Sequence, residues 1–194
     1  MNASDEGVGR LDTCTNFDLA SLPTVFQRQL PDKFSILNLN IRGLRTNLRL
    51  LKSFLCELRA PIKVIVLTES HLRDEFENLF NINGYRRITV NRSSSGGGIA
   101  VFLHFSIQYK VNSELTGVFN SHEGLYFTVN FPGKVSIDIF CVYRPPNKYL
   151  QSFVDYLSAM NSRRFRRKCI IVGDVNVCVV RDSKFSAYQN VLSG

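Results

Sequence analysis

The segment from Phe34 to Thr68 constrains the fold more than any other part of the chain. FSILNLNI is a strand candidate. RTNLRLLKSFLCEL follows, with Leu48, Leu51, Leu55 and Leu58 at helical spacing, and Pro61 stops the helix. VIVLT, Val64 to Thr68, is a continuous β-branched run that reads as a strand buried on both faces. Strand, helix and strand within so short a length form a crossover unit, which places the two strands parallel in one sheet. The fold class is therefore α/β.

The middle of the chain has a different rhythm. YRRITVNR, GIAVFLHF, IQYKV, LYFTVNF and VSIDIFCVYRP are strand candidates separated by turn-like pieces: SSSGGG, the Ser106 region, SHEG and PGK. Short strands with short links predict antiparallel sheet. YLQSFVDYLSAM then offers Phe153, Val154, Leu157 and Met160 on one helical face, and CIIV at Cys169 is a last strand candidate. A segment around Phe185 to Leu192 is a further short helix candidate. Residues 1–33 show no sustained period and read as a loosely ordered leader, so the domain is assigned to residues 34–194. SSSGGG is not a P-loop, because no Lys-Ser/Thr follows it and the next element is a strand; it reads as a hairpin turn.

Functional groups gather where strands stop. Asn40 ends the first strand, Glu69 the second and Tyr143 the strand before RPP. CIIVGDVNV runs from an apolar strand straight into Asp174 and Asn176. If the backbone stays extended, Asp174 and Asn176 share a face. Gly-Asp and Asn are also ordinary turn residues, and that alternative stays open on these residues alone. Sites in α/β sheets collect at the carboxyl ends of strands, which favours the functional reading when the residues are taken together. His71, His104 and His122 have no metal-ligand spacing and read as structural or surface residues.

The net charge of +8 favours an acidic partner, nucleic acid before a membrane surface. The densest basic run, Arg163 to Lys168, is either a phosphate contact or nuclear address, or a solvated linker between helix and strand. The five cysteines include no Cys-x-x-Cys pair and sit mostly among apolar residues, as small core residues do in a reducing compartment. No apolar run approaches the roughly 18–20 residues of a membrane span. The first residues lack the pattern of a signal peptide, so the sequons at Asn2 and Asn91 read as chance matches. The expected location is nuclear or cytoplasmic, and oligomeric state stays open.

The order NIRGL, TES, GGGIAVFL, VYRPP and GDVN resembles the endonuclease domain of LINE-type (non-LTR) retrotransposons, within the endonuclease/exonuclease/phosphatase superfamily that also holds deoxyribonuclease I. The resemblance covers about Phe34 to Gly194. It implies a two-sheet sandwich flanked by helices and Mg²⁺-dependent phosphodiester hydrolysis of DNA, with Mn²⁺ as the other plausible ion. It implies that Glu69 binds the metal and that Asn40 sits beside it and helps hold the phosphate. Asp174 then orients or deprotonates the attacking water. Asn176 and Tyr143 contact the phosphate. A reverse transcriptase is expected downstream in a full-length element. A superfamily phosphatase acting on sugar or lipid phosphates, and a non-catalytic nucleic-acid-binding remnant, are the alternatives.

Two departures from the family pattern stand out. Val175 occupies the position of the usual Phe in GDFN, which predicts looser packing under the Asp174 loop. The family closes with a Ser-Asp-His segment that does not occur before Gly194, so the expectation is a C-terminally truncated domain.

Overall fold

The computed structural model describes residues 34–58, 62–92, 96–164 and 168–177, together with Ser21 and Thr24. The leader other than those two residues and the helix candidate at Phe185–Leu192 lie outside the described residues.

The crossover unit forms as its pattern predicts. Strand β1 (Ile36–Asn40) leads into helix α1 (Leu44–Leu58) and strand β2 (Val64–Thr68), and β1 and β2 pair in parallel from Ile36↔Val64 to Asn40↔Thr68. Leu44, Leu51 and Leu58 form one buried stripe of α1, seven residues apart, which holds the helix against sheet residues Ile65, Leu67, Ala100 and Phe102. Strands β3 (Tyr85–Val90) and β4 (Ile99–His104) follow as an antiparallel pair, and β4 lies against β2, giving the sheet order β1-β2-β4-β3. The SSSGGG stretch links β3 to β4, as a hairpin connection must. β2 and the first five residues of β4 are buried throughout because both are internal strands with a layer on each face.

The second sheet has the order β5-β7-β8-β9. It is built from β5 (Gln108–Val111), β7 (Glu123–Asn130), β8 (Ser136–Tyr143) and β9 (Cys169–Asp174), with the two-residue β6 (Gly117–Val118) paired to β7. β5, β7 and β8 are antiparallel, while β9 runs parallel to β8 after the crossover through helix α2 (Leu150–Arg164). Phe153, Leu157 and Met160 of α2 pack on Phe140 and Val142 of β8. Helix α2 runs to Arg164, so the first residues of the basic run extend a helix rather than a linker.

Val64, Val66, Ile99 and Val101 of the first sheet meet Leu125, Phe127, Ile139 and Cys141 of the second in a shared core. α1 covers the far face of one sheet and α2 the far face of the other. The architecture is the two-sheet α/β sandwich flanked by helices that the resemblance implies. The continuous apolar run Cys169–Val172 suggests a strand covered on both faces, but β9 is half-buried along its whole length. Among the described residues it is an edge strand with β8 as its sheet neighbour, so one flank has less cover.

Candidate active site

The strand pairing brings one edge of each sheet together. β1, β2 and β8 end at that edge with Asn40, Thr68 and Tyr143, and β9 ends there with Asp174. The facing strands are tied by side chains: Asn38 Nδ2 donates to the Gly173 carbonyl at 3.2 Å. Two residues on, Asn40 Nδ2 donates both to Glu69 Oε1 at 2.8 Å and to Asp174 Oδ2 at 3.0 Å. The Tyr143 hydroxyl lies 3.3 Å from the same Glu69 Oε1. Asn40, Glu69, Tyr143 and Asp174, nominated from four separate stretches of sequence, therefore form one cluster.

Local backbone explains how Glu69 reaches it. Glu69 has a φ of 52°, a left-handed conformation uncommon for a residue with a side chain. Its carbonyl accepts the Gly43 N–H at 2.8 Å, and the next carbonyl, of Ser70, accepts the Leu44 N–H at 2.9 Å. The start of α1 thus fastens the corner after β2. On the other side, Ser70 and His71 donate their N–H groups to the carbonyls of Gly98 and Gly97. Gly98 has a φ of 89°, and a Cβ there would stand 2.5 Å from Ser70 Oγ. The glycine-rich stretch therefore has a second use beside its turn: it lets backbone press against the Glu69 corner. Strain of this sort is kept where surrounding contacts fix the chain, commonly at functional positions.

Asn40 acts here as a donor. Its Oδ1 accepts the Arg42 N–H at 3.2 Å, which turns Nδ2 toward the two carboxylates. The metal-binding role assigned to Glu69 suits this geometry better than a metal-ligand role for Asn40. Two carboxylates converge on one neutral amide, giving a negative site of hard oxygens, which fits a small dication that keeps most of its water. Among the described residues, no group of three or more His, Cys, Asp or Glu is arranged to hold a metal by itself.

Tyr143 is 5% exposed, and its phenol is pushed up to about 12 by burial and then by the Glu69 carboxylate beside it. It stays protonated over the working pH range and is a permanent hydrogen-bond donor.

Asn176 departs from the extended reading. Its φ of 48° breaks the strand, so it does not simply repeat the face of Asp174. Its backbone N–H donates to Asp174 Oδ1 at 3.0 Å, and its Nδ2 donates to the Arg144 carbonyl at 2.9 Å. The turn alternative is thus part of the answer. The turn itself fixes the Asp174 carboxylate, and Asn176 keeps a second amide N–H beyond the one given to Arg144. Val175 packs partly buried against the Phe140 and Phe153 cluster.

Three neighbours were missed from sequence. His71, read as structural or surface, has Nε2 3.7 Å from Glu69 Oε2. Arg144 donates Nε to the Val175 carbonyl at 2.7 Å and also reaches the carbonyls of Lys148 and Asn176, clamping the Asp174 loop. Glu123 is 1% exposed, lies opposite Tyr143 in the β7–β8 pairing, accepts the Gly98 N–H at 2.6 Å and faces Arg92 at 3.3 Å. Burial raises its pKa above the ordinary carboxylate range, with the Gly98 N–H and Arg92 opposing. The available signal for Glu123 was a lone acid opening an apolar strand.

No family model and no curated protein sequence matches the chain. Solved structures do. The endonuclease domain of TRAS1, a telomere-specific non-LTR retrotransposon, superposes with a TM-score of 0.63 at 13% identity, over 81% of this chain and 70% of that one. D. rerio TDP2 complexed with single-strand DNA product gives 0.55 at 18% identity, over 84% and 66%. A 3′ phosphatase, NExo from Neisseria, bound to a product DNA hairpin, gives 0.54 at 14% identity, over 82% and 70%. Different chemistries share this scaffold, so at these identities the likeness speaks for architecture. With its two sheets, its covering helices and its polar cluster at one sheet edge, the chain has the deoxyribonuclease I-like two-sheet fold of these structures.

Proposed function

We propose that this chain is a metal-dependent DNA endonuclease domain of the retrotransposon type, which nicks a target strand by phosphodiester hydrolysis. The observation that carries the reading is the shared contact of Asn40 Nδ2 with Glu69 and Asp174, closed by the Tyr143 hydroxyl on Glu69. The likeness in fold to the TRAS1 retrotransposon endonuclease domain supports the same reading.

In this mechanism Glu69 would hold the dication, Mg²⁺ or Mn²⁺, which would supply neutralisation of charge on the phosphate. Asp174, fixed by the Asn176 N–H and by Asn40, accepts a proton from the attacking water. The water oxygen bonds to phosphorus and the bond to the sugar 3′-oxygen breaks; the departing 3′-oxyanion takes a proton from solvent, giving a 3′-hydroxyl and a 5′-phosphate. The second N–H of Asn176, and the Tyr143 O–H once it turns away from Glu69, donate to the non-bridging oxygens as their charge grows. In a full-length element of this type the 3′-hydroxyl is expected to prime a reverse transcriptase domain encoded downstream.

The test is nicking of supercoiled plasmid by the folded chain with Mg²⁺. Glu69→Ala is expected to abolish the metal response and Asp174→Ala to remove nicking by at least about 10²-fold. Mg²⁺-stimulated nicking that survives Glu69→Ala rejects the assignment. A second reading, a phosphomonoesterase, is favoured by the neighbouring 3′ phosphatase structure; release of phosphate from 3′-phosphorylated DNA ends without nicking selects it. Salt-sensitive DNA binding with neither reaction selects a non-catalytic remnant.

A further inference from the structure

The corner that carries Glu69 is strained on both sides of one residue. Glu69 and His71 each have a φ of 52°, and Ser70 between them is fully buried. Such backbone persists only where its surroundings over-determine it. Helix α1 supplies one hold, through the N–H groups of Gly43 and Leu44. The other hold is the glycine turn before β4. There the Gly98 and Gly97 carbonyls accept the N–H groups of Ser70 and His71 at 3.0 and 2.9 Å.

That second hold has little stiffness of its own. Gly96, Gly97 and Gly98 all have positive φ, at 83°, 73° and 89°. Glycine gives up more backbone freedom on ordering than any other residue, so a run of three needs an outside partner to stay fixed. Glu123 is such a partner. It opens β7 in the other sheet, and its Oε2 accepts the Gly98 N–H at 2.6 Å. Its Oε1 faces Arg92 Nη1 at 3.3 Å. A Cβ on Gly97 would run into Glu123 Oε1 and the Arg92 side chain, so the turn lies directly on this ion pair. A charge buried to 1% exposure is costly unless it is paired and hydrogen-bonded. Here one carboxylate oxygen meets the glycine turn and the other its Arg92 neighbour.

We propose that Glu123 is a positioning residue for Glu69. It fixes the glycine turn, the turn fixes Ser70 and His71, and the strained corner then presents the Glu69 carboxylate to a dication. This rests on the nuclease reading and adds to its site a group from β7, a strand that carries none of the residues given a role there. The chain of contacts is short: Glu123 to the Gly98 N–H, across one residue to the Gly98 carbonyl, and on to the Ser70 N–H. A carboxylate set behind a metal ligand in this way tunes metal affinity by orienting that ligand.

The experiment compares the full chain with Glu123→Asp and Glu123→Gln, without DNA. Aspartate keeps the charge but is one methylene too short for Gly98. Glutamine keeps the length but turns a donor amide or a neutral oxygen toward Arg92, and it loses the charge-assisted bond. Amide hydrogen exchange followed by NMR is expected to be about 10-fold faster at Ser70 and His71 in both variants, with the β2 amides Val66 and Leu67 within about 3-fold of the unmutated chain. A role confined to overall stability would speed all four amides together. Mn²⁺ affinity, read from the free-ion signal by electron paramagnetic resonance, is expected to fall about 10-fold. Unchanged exchange at Ser70 and His71, equal acceleration in β2, or faster exchange with unchanged Mn²⁺ affinity overturns the proposal and leaves the nuclease reading standing. No Mn²⁺ binding by the unmutated chain overturns both.

Discussion

At Gly173 a single methyl group is enough to break the site. A Cβ there would stand 1.8 Å from the Val142 carbonyl oxygen, and that atom belongs to the neighbouring strand's backbone, which no rotamer change can move aside. Gly173→Ala must part β8 from β9 just before Asp174. It is expected to lower stability by about 3 kcal/mol or more, read by urea unfolding, and to displace the carboxylate from Asn40. Tyr143→Phe is the opposite kind of change. It removes one donor and little volume, so we expect near-normal stability and nicking slower by about 10²-fold. His122 allows a third test at this scale. It is 1% exposed among Phe119, Phe140, Phe153 and Tyr156, its Nδ1 meets Ser121 Oγ at 2.9 Å, and burial pushes its pKa down to about 4. The unfolded chain protonates this ring near 6.5, before the folded chain does. Stability from this residue is therefore complete above about pH 6.5 and falls by about 3 kcal/mol as pH drops toward 4. Glu123, with its raised pKa, acts in the opposite sense, so the measurement is a comparison: His122→Phe should flatten the acid limb of the stability profile.

Among the elements, Arg144 shows how one side chain can organise two loops. Its guanidinium holds carbonyls after both β8 and β9, which keeps the Asp174 loop against the Tyr143 strand. Lysine has the charge but not the planar fork. Arg144→Lys is expected to lower kcat about tenfold with a smaller change in KM, measured by steady-state nicking, because the loop is aimed less well while the binding surface stays. What could be read from sequence at this scale follows from packing. β2, β4 and β8 have a neighbour on each side and layers above and below, so their apolar runs are continuous and visible. α1 carries its stripe of leucines for the same reason. β6 spans two residues, and the 3₁₀ turns have too few residues to show a period. β9 misled because a β-branched run looks the same at an edge as in a sheet centre. The site was legible only where strands end: Asn40, Glu69, Tyr143 and Asp174 terminate or follow strands. Glu123 begins one, and an antiparallel strand brings its amino end to the edge where its neighbour finishes. His71 was hidden because its place depends on the left-handed corner at Glu69, which no residue spacing encodes.

For the whole molecule, the charge of +8 and the carboxylate pair of Glu69 and Asp174 describe a molecule that attracts a polyanion and a centre that repels it. DNA affinity is accordingly expected to fall steeply with ionic strength, and a dication should strengthen it by reducing repulsion at Glu69 and Asp174; titrations with and without Mg²⁺ check this. No helix among the described residues is long and apolar enough to cross a membrane. The side-chain ties from β1 to β9 have a further consequence in time. Asn38 and Asn40 reach partners 135 and 134 residues further along the chain. Contacts of such high sequence separation give a large contact order and carry a loop-closure cost that local pairing does not. On the ribosome, the segment with Asn40 and Glu69 emerges with its crossover unit able to fold, while the other carboxylate has yet to be synthesised. The cluster has to wait for Asp174, so the segment that carries Asn40 and Glu69 stays without its partner carboxylate until β9 has been made.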